Sequence, residues 1–309
     1  MGDNFPLIGA ILVNFNGGEM LLEAVNSLLN SSYPNLKIIL VDNASHDGSA
    51  KAILVEYKDV ILIENDKNLG FAVGNNIGIG RAIELGCEYI FFLNNDATVN
   101  ADAISLLHQH LESVDKCVAV APFIFYHHKP KLIWFGGGEV ALWRGWIGHR
   151  HIRKEYKSNT YLPEKTDYLT GCTFLIRSEP LRKAMGFDQH FGLYSEDVDL
   201  SLRLIKKGYE LWVYPNAHAF HQVSATAGGE LSPFKAYYRG RSNALIVKRY
   251  ARYWEWITLI VGGLIGGVTL SIKLLLQGKT ATVIAIWHGI FSGLIGLSIP
   301  RKYRLKNSE

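Results

Sequence analysis

The sequence predicts an α/β fold, built on a mostly parallel sheet with helices on both faces and followed by a C-terminal α-helical hairpin. Three observations predict it. Short, continuous apolar runs rich in β-branched residues alternate with amphipathic segments from the N-terminus to Leu93. Each of these runs exits into Asn, or into Asp. Beyond Ala244 the composition shifts to two long stretches with almost no charge. A chain of 309 residues, 48% of them hydrophobic, holds a sizeable core and an appendage.

Leu7–Phe15 is apolar without alternation, as in a strand buried on both faces. Leu21, Leu22, Val25, Leu28 and Leu29 recur at helical spacing across Glu19–Leu29, and Ser31 to Pro34 ends that helix. Lys37–Val41, Val60–Ile63 and Glu88–Leu93 repeat the strand pattern. Ser49–Tyr57 and Gly74–Leu85 repeat the helical one. Such βαβ repetition means a parallel sheet, and ligands of these sheets bind beyond the carboxyl ends of the strands. From Ala121 to Asp167 the pattern breaks into irregular loops with room for a hairpin, among Trp134, Gly136–Gly138, Trp143 and Trp146. Leu169–Ile176 reads as a strand, Glu196–Lys206 as a helix, and Glu210–Tyr214 as a short strand ending at Pro215.

Composition excludes some functions. A net charge of +4, with no basic stripe interleaved with aromatics before the tail, falls short of a nucleic-acid binder, so no nucleic-acid partner is expected. Cys87, Cys117 and Cys172 make an odd count without CxxC, each in or beside an apolar run. They read as buried free thiols in a reducing compartment. Asp3 precedes the run Leu7–Val13 with no basic region before it, which is unlike a signal peptide. Pro6 stands where a myristoylation signal wants Ser or Thr. The body of the chain is therefore expected in the cytosol.

Polar residues follow each strand: Asn14-Phe15-Asn16-Gly17, Asp42-Asn43-Ala44-Ser45, Asn65 and Asn68, and Asn94-Asn95-Asp96. One such group is an ordinary turn or cap. Four in register along one sheet edge favour a polar pocket. Asp42 suits hydrogen bonds to a base or ribose. Asp96, the only charge in its tripeptide, suits a divalent cation that also takes substrate phosphates. Gly70, Gly74 and Gly78 are spaced by four and do not make a dinucleotide fingerprint. They suit close helix packing, a loop near a nucleotide running to Asn75 and Asn76, or both.

Glu196, Asp197 and Asp199 open a predicted helix, where carboxylates favour the dipole. Asp199 and Arg203 form an i,i+4 pair, while Asp197 points about 100° away from Glu196. One carboxylate is thus free to act as a general base. His218 and His221 follow Pro215, and His221 is a candidate metal ligand beside Asp96, although the spacing does not demand it.

Four segments together resemble glycosyltransferase family 2: Val41 to Ser45, Asn68 to Asn76, Phe92 to Ala97, and Phe187-Asp188 through Tyr194 to Leu200 and Arg203. Thr170-Gly171-Cys172 resembles the family's acceptor-side strand. The resemblance covers about residues 5 to 245 and implies a GT-A type, Rossmann-like catalytic domain over residues 1–245. It implies an inverting, metal-assisted displacement with Mg²⁺ or Mn²⁺. It assigns the nucleotide-sugar donor to Asn14, Asn16, Asp42, Asn43, Asn68, Gly70, Asn75, Asn94, Asn95 and Asp96, with Asp42 at the nucleotide. Asp96 and His221 become metal ligands, and Asp197 of the Glu196-Asp197 pair becomes the catalytic base. The chain departs from a strict DXD at Asn94. The nearest subgroup contains rhamnosyltransferases and related surface-glycan enzymes, which makes dTDP-rhamnose the first expected donor and leaves UDP-sugars open. Two rivals remain: a non-catalytic sugar-nucleotide-binding or scaffold protein, supported by Asn94, and a nucleotidyltransferase, disfavoured because Asn14 to Gly18 holds no Lys or Arg.

Residues 246–309 form the appendage. Ile257–Leu276 spans 20 residues with Lys273 as its one charge, and Thr280–Ile299 spans another 20 with no Asp, Glu, Lys or Arg, although it holds His288. About 20 apolar residues cross a bilayer. Gly262-Gly263 and Gly266-Gly267 allow close helix contact. Lys248, Arg249 and Arg252 precede the pair, and Arg301, Lys302, Arg304 and Lys306 follow it. Both ends are then cytosolic, with the Gln277-Gly278-Lys279 turn outside and Tyr250, Tyr253, Trp254 and Trp256 at headgroup level. A buried hairpin in a dimer interface and two amphipathic helices lying on the membrane are the alternatives. Membrane attachment suits a lipid-linked glycan acceptor.

Overall fold

A computed structural model describes residues 5–222 and 231–305, so that Asp3 and Lys306, used above, lie outside the described residues. The first apolar runs become β1 (Ile8–Asn14), β2 (Leu36–Asp42), β3 (Ile61–Glu64) and β4 (Tyr89–Leu93). Between them lie α1 (Gly18–Leu29), α2 (Ser49–Glu56) and α3 (Gly70–Glu84). The four strands pair in parallel in the order β3-β2-β1-β4, with Asn14 level with Asp42. Ile8, Ala10, Ile11 and Leu12 are wholly buried because helices cover both faces, which is why this run does not alternate.

Helix α3 begins one turn earlier than expected. Gly70 takes φ +78°, a left-handed turn that glycine adopts without strain, and its N–H donates to Asn68 Oδ1 at 3.0 Å. Gly74 and Gly78 lie against β1: a Cβ on them would fall 2.8 Å from Val13 and 2.6 Å from Ile11. The glycine series therefore serves a turn at one end and close packing at the other.

The stretch expected to be irregular is mostly ordered. After β5 (Ala97–Val99) and α4 (Ala103–Ser113) come the strand β6 (Cys117–Tyr126) and its hairpin partner β7 (Lys129–Phe135). Strand β6 is buried almost throughout, but Pro122 at its centre disguises it as a loop. A second hairpin pairs β8 (Gly138–Ala141) with β9 (Trp146–His149), and β10 (Glu164–Lys165) follows. Next come β11 (Thr173–Arg177), α5 (Ser178–Lys183), α6 (Glu196–Lys206) and β12 (Glu210–His221). Strand β11 inserts antiparallel between β4 and β6, and β12 lies parallel to β6.

Strand β12 corrects a second expectation. It passes Pro215 and ends only at His221, because a register shift against β6 between Tyr214 and His218 absorbs the residue that lacks an N–H. His218 and His221 are strand residues, and His221 stands opposite Ala97.

The tail holds three helices: α7 (Pro233–Tyr250), α8 (Tyr253–Leu276) and α9 (Thr280–Ile295). Helix α7 starts on a Ser232 cap with Pro233 in the first turn and runs through the expected boundary at residue 245. The face of α9 formed by Thr282, Ala285, Gly289, Ser292 and Gly293 is buried. A Cβ on Gly289 would fall 2.0 Å from the Tyr237 carbonyl oxygen, and one on Gly293 would fall 2.4 Å from that of Arg241. Close helix contact is thus made here. Gly262, Gly263 and Gly266 have nothing near them among the described residues. Arg249 and Tyr250, expected to flank a membrane, turn inward instead to Asp188 and Asp199. Helix α8 has a mean hydropathy of 2.1 and only 6% of its apolar window is buried. At 1.5 Å per residue it is about 36 Å long, against about 24 Å for α9, and a hydrocarbon core is about 30 Å thick.

Candidate active site

The carboxyl ends of β1 and β2 carry one tight polar cluster. Asn14, fully buried, donates from Nδ2 to Asp42 Oδ1 at 2.8 Å and to the Ser45 and Ser49 hydroxyls at 3.0 Å each. Asp42 also accepts the Ser45 N–H at 2.9 Å and the Ser45 hydroxyl at 2.6 Å. Asn14 Oδ1 accepts from Gly17 N–H and from Asn95 Nδ2, which ties the first strand end to the fourth. Asn16, at φ +54°, accepts the His46 N–H, and Asn43 bridges the Gly70 carbonyl and Asn65. Asn75 turns back to the Phe71 carbonyl of its own helix. Ser45, Ser49 and Asp47 complete this cluster and were missed as site residues. Their signal was the run Ser45 to Ser49 just beyond Asp42.

The second cluster centres on the segment that leads into β11. The Asn94 N–H donates to the Cys172 carbonyl at 2.8 Å, and the Gly171 N–H donates to Asp197 Oδ2 at 2.8 Å. The Thr170-Gly171-Cys172 segment thus joins the Asn94-Asn95-Asp96 turn to the start of α6. A Cβ on Gly171 would fall 2.9 Å from the Phe71 ring and 3.6 Å from the Asp197 Cβ, so the lack of a side chain here lets the Phe71 ring sit close. His221 Nε2 lies 3.1 Å from Asp96 Oδ1, with both residues buried. Burial disfavours the imidazolium of His221, but Cys172 and Asp96 outweigh it and raise its pKa. Burial raises the Cys172 pKa, against the pull of the neighbouring His221.

The carboxylates of α6 differ in their surroundings. Tyr194 and Ser195 enter the helix at φ +68° and +65°, strained values for residues with a Cβ. Asp199 is fully buried, with Arg203 Nε at 2.7 Å, Arg249 at 2.9 Å and the Tyr250 hydroxyl at 2.8 Å. The Asp197 carboxylate accepts hydrogen bonds from the backbone N–H groups of Gly171 and Val198, both 2.8 Å away. Burial raises its pKa, and those two N–H bonds pull part of the way back. Glu196 is buried, and its Oε2 has no hydrogen-bond partner among the described residues. Burial, then the neighbouring Asp197 charge, raises its pKa.

The donor chemistry fits a divalent cation. A carboxylate oxygen and an imidazole nitrogen face each other, and both are ligand types for Mg²⁺ or Mn²⁺. No cluster of three His, Cys, Asp or Glu ligands exists among the described residues. A separate cleft of about 720 Å³, lined by Cys87, Glu88 and Arg177, lies at the other end of β4 and holds no predicted site residue.

Residues 10–184 match the model of Glycosyl transferase family 2. The chain is 23% identical over 274 residues to the N-acetylglucosaminyl-diphospho-decaprenol L-rhamnosyltransferase of Mycobacterium tuberculosis, covering 82% of this chain and 88% of the relative. It is 27% identical over 224 residues to the Rhamnosyltransferase WbbL of Escherichia coli, covering 68% of this chain and 82% of that one. Its fold is similar to that of the mannosyltransferase PcManGT from Pyrobaculum calidifontis, solved with GDP-Man and Mn²⁺. That match has a TM-score of 0.60 and 15% identity, and covers 94% of this chain and 88% of the other.

Proposed function

The chain belongs to glycosyltransferase family 2, and we propose that it is an inverting enzyme that moves a sugar, rhamnose first among the expected choices, from a nucleotide-diphosphate donor to a lipid-linked acceptor hydroxyl in surface-glycan synthesis. One observation carries this reading: Asp197, held by two backbone N–H groups, is one hydrogen-bonded segment away from Asp96 and His221. The rhamnosyltransferase relatives support the donor, and the decaprenol-linked substrate in one relative's name supports the acceptor.

Asp42, positioned by Asn14 and Ser45, holds the nucleotide. Asp96 and His221 would hold a divalent cation, which when bound would supply positive charge to the leaving diphosphate. Asp197 takes the proton of the acceptor hydroxyl as that oxygen attacks the anomeric carbon from the face opposite the diphosphate. Its raised pKa makes it a stronger base than an exposed aspartate. Its two N–H donors hold the acceptor-facing geometry, and the Gly171 backbone brings that geometry next to the donor. One displacement with one base inverts the anomeric centre.

Helix α8 serves as the membrane anchor and the active site faces the cytosol, with residues 1–245 as the catalytic part and 246–309 as the attachment. Carbonate washing is expected to leave the full chain in the membrane pellet. Release into the supernatant would refute α8 as an integral anchor.

The enzyme reading is tested with detergent-solubilised full-length protein, a polyprenyl-diphosphate-linked acceptor and a panel of dTDP-, UDP- and GDP-sugars, each with Mg²⁺, Mn²⁺ or EDTA. Turnover of one donor, abolished by EDTA and giving an inverted anomer, is the expected result. Turnover that survives EDTA would remove the cation from the reading, and retained configuration would remove the single displacement. No transfer and no donor hydrolysis anywhere in the panel would favour a non-catalytic role.

A further inference from the structure

Trp143 and Trp146 stand half exposed at the tip of the β8–β9 hairpin, on either side of Arg144 and Gly145. Large exposed aromatics set together mark an interaction surface. The Arg144 guanidinium lies 5.7 Å from one ring and 5.8 Å from the other, and Glu139 holds it at 2.6 Å. The hairpin thus presents both rings as a braced unit.

This tip packs beside the start of α8. A Cβ on Gly145 would fall 3.4 Å from Leu259 Cδ2. Within two turns of Leu259, α8 exposes Tyr253 and Trp254, and the exposed Lys248 and Arg252 stand just before it. A gap of about 440 Å³, lined in part by Leu142, Trp143, Lys206, Arg252 and Trp254, separates the tip from the α6 and α8 side. Two segments about a hundred residues apart in the chain therefore converge on one collar of aromatic and basic side chains, at the root of an apolar helix.

We propose that the β8–β9 tip is a second membrane contact, with Trp143 and Trp146 lying in the headgroup layer of an anionic bilayer beside α8. Tryptophan favours that layer because its ring is apolar and its indole N–H is polar. Lys248 and Arg252 match it in charge, since cations near an anionic leaflet are attracted to it. A single anchoring helix leaves the catalytic part free to tilt over the membrane. A second contact to one side limits that tilt and fixes how the active site faces the lipid surface. The proposal rests on α8 as the membrane anchor and does not need the sugar-transfer chemistry.

The test uses the full chain in vesicles of phosphatidylcholine and phosphatidylglycerol, part of the lipid carrying bromine near the headgroup end of its acyl chains. Quenching of tryptophan fluorescence is compared between the natural protein and the W143F/W146F double variant, with aqueous iodide as a second quencher. The expected result is that the double variant loses a substantial part of the bromolipid quenching and little of the iodide quenching. Equal bromolipid quenching in both proteins, with iodide quenching lost in the variant, places the rings in water and overturns the proposal. If bromolipid quenches neither protein, Trp254 and Trp256 are also away from lipid. The anchor itself then fails, and the proposal with it.

Discussion

The two halves of the site hold their polar side chains in opposite ways. Around Asn14 and Asp42 the side chains lock one another: a single amide reaches a carboxylate and two hydroxyls, and a second amide from Asn95 closes the ring. Around Asp197 the side chains are held by the backbone, and the adjacent Glu196 keeps a buried oxygen with no partner among the described residues. The first arrangement suits a surface that must not change while a nucleotide docks. The second suits groups whose charge changes during a reaction, because a carboxylate fixed by several side chains would resist taking up a proton. The contrast repeats within α6, where Asp199 is tied down by Arg203, Arg249 and Tyr250 and Asp197 is not.

Substitutions can sharpen or break that contrast. Asp197→Asn keeps the shape and removes the base. The drop in kcat is expected to be about 10²–10⁴-fold, with donor affinity nearly unchanged; steady-state kinetics together with donor titration will show it, and normal turnover would end the assignment. Asp199→Asn takes the buried counter-charge from Arg203 and leaves Arg249 with Asp188 alone, so a loss of about 3–5 kcal/mol of stability is expected. Thermal unfolding in detergent reads this, and an unchanged midpoint would mean that the two aspartates are not different in kind. Asn14→Ala strands part of the nucleotide-side cluster, costing about 1–3 kcal/mol. Donor KM is expected to rise roughly tenfold, equivalent to about 1.4 kcal/mol, with kcat little altered. A kcat effect larger than the KM effect would count against the division between halves.

A further test is in pH. Glu196 has a raised pKa in the folded chain, so between the ordinary glutamate value near ~4.3 and that raised value the folded state binds more protons than the unfolded one. Stability must therefore fall as pH rises through this window, and Glu196→Gln should flatten that part of the profile. Denaturant titrations across the window test the sign. Asp197 gives the kinetic counterpart: kcat/KM falls as pH is lowered, beginning above the usual aspartate range near ~3.9.

Much of the first half was legible because its strands are buried on both faces and read as unbroken apolar runs. Polar residues at their carboxyl ends then converge by topology alone. The later strands were harder. Pro122 inside β6 and Pro215 inside β12 are stop signals in sequence, and only the register shift in β12 shows how the second is accommodated. The position of His221 opposite Ala97 follows from that shift and could not be read locally. Helix α7 did carry a start signal, Ser232 then Pro233, but its many basic residues hid the buried face. The roles of Arg249 and Tyr250 were misread for the same reason, since their acidic partners lie about fifty residues away in the chain. The α6 carboxylates were legible as a group. Their separation into a tethered Asp199 and a backbone-held Asp197 needed tertiary contacts.

Helix α9 rests on α7 through Gly289 and Gly293, backbone against backbone, and α7 grips the loop before α6 through Arg241 at the His190 and Phe191 carbonyls. Close packing of one helix backbone on another leaves the pair little room to shift. With α8 in a bilayer, the general base would sit at a set height above the lipid. The pair would then act as a length gauge: an acceptor one sugar too short or too long would carry its hydroxyl below or above Asp197, and would be refused without touching any residue that recognises it.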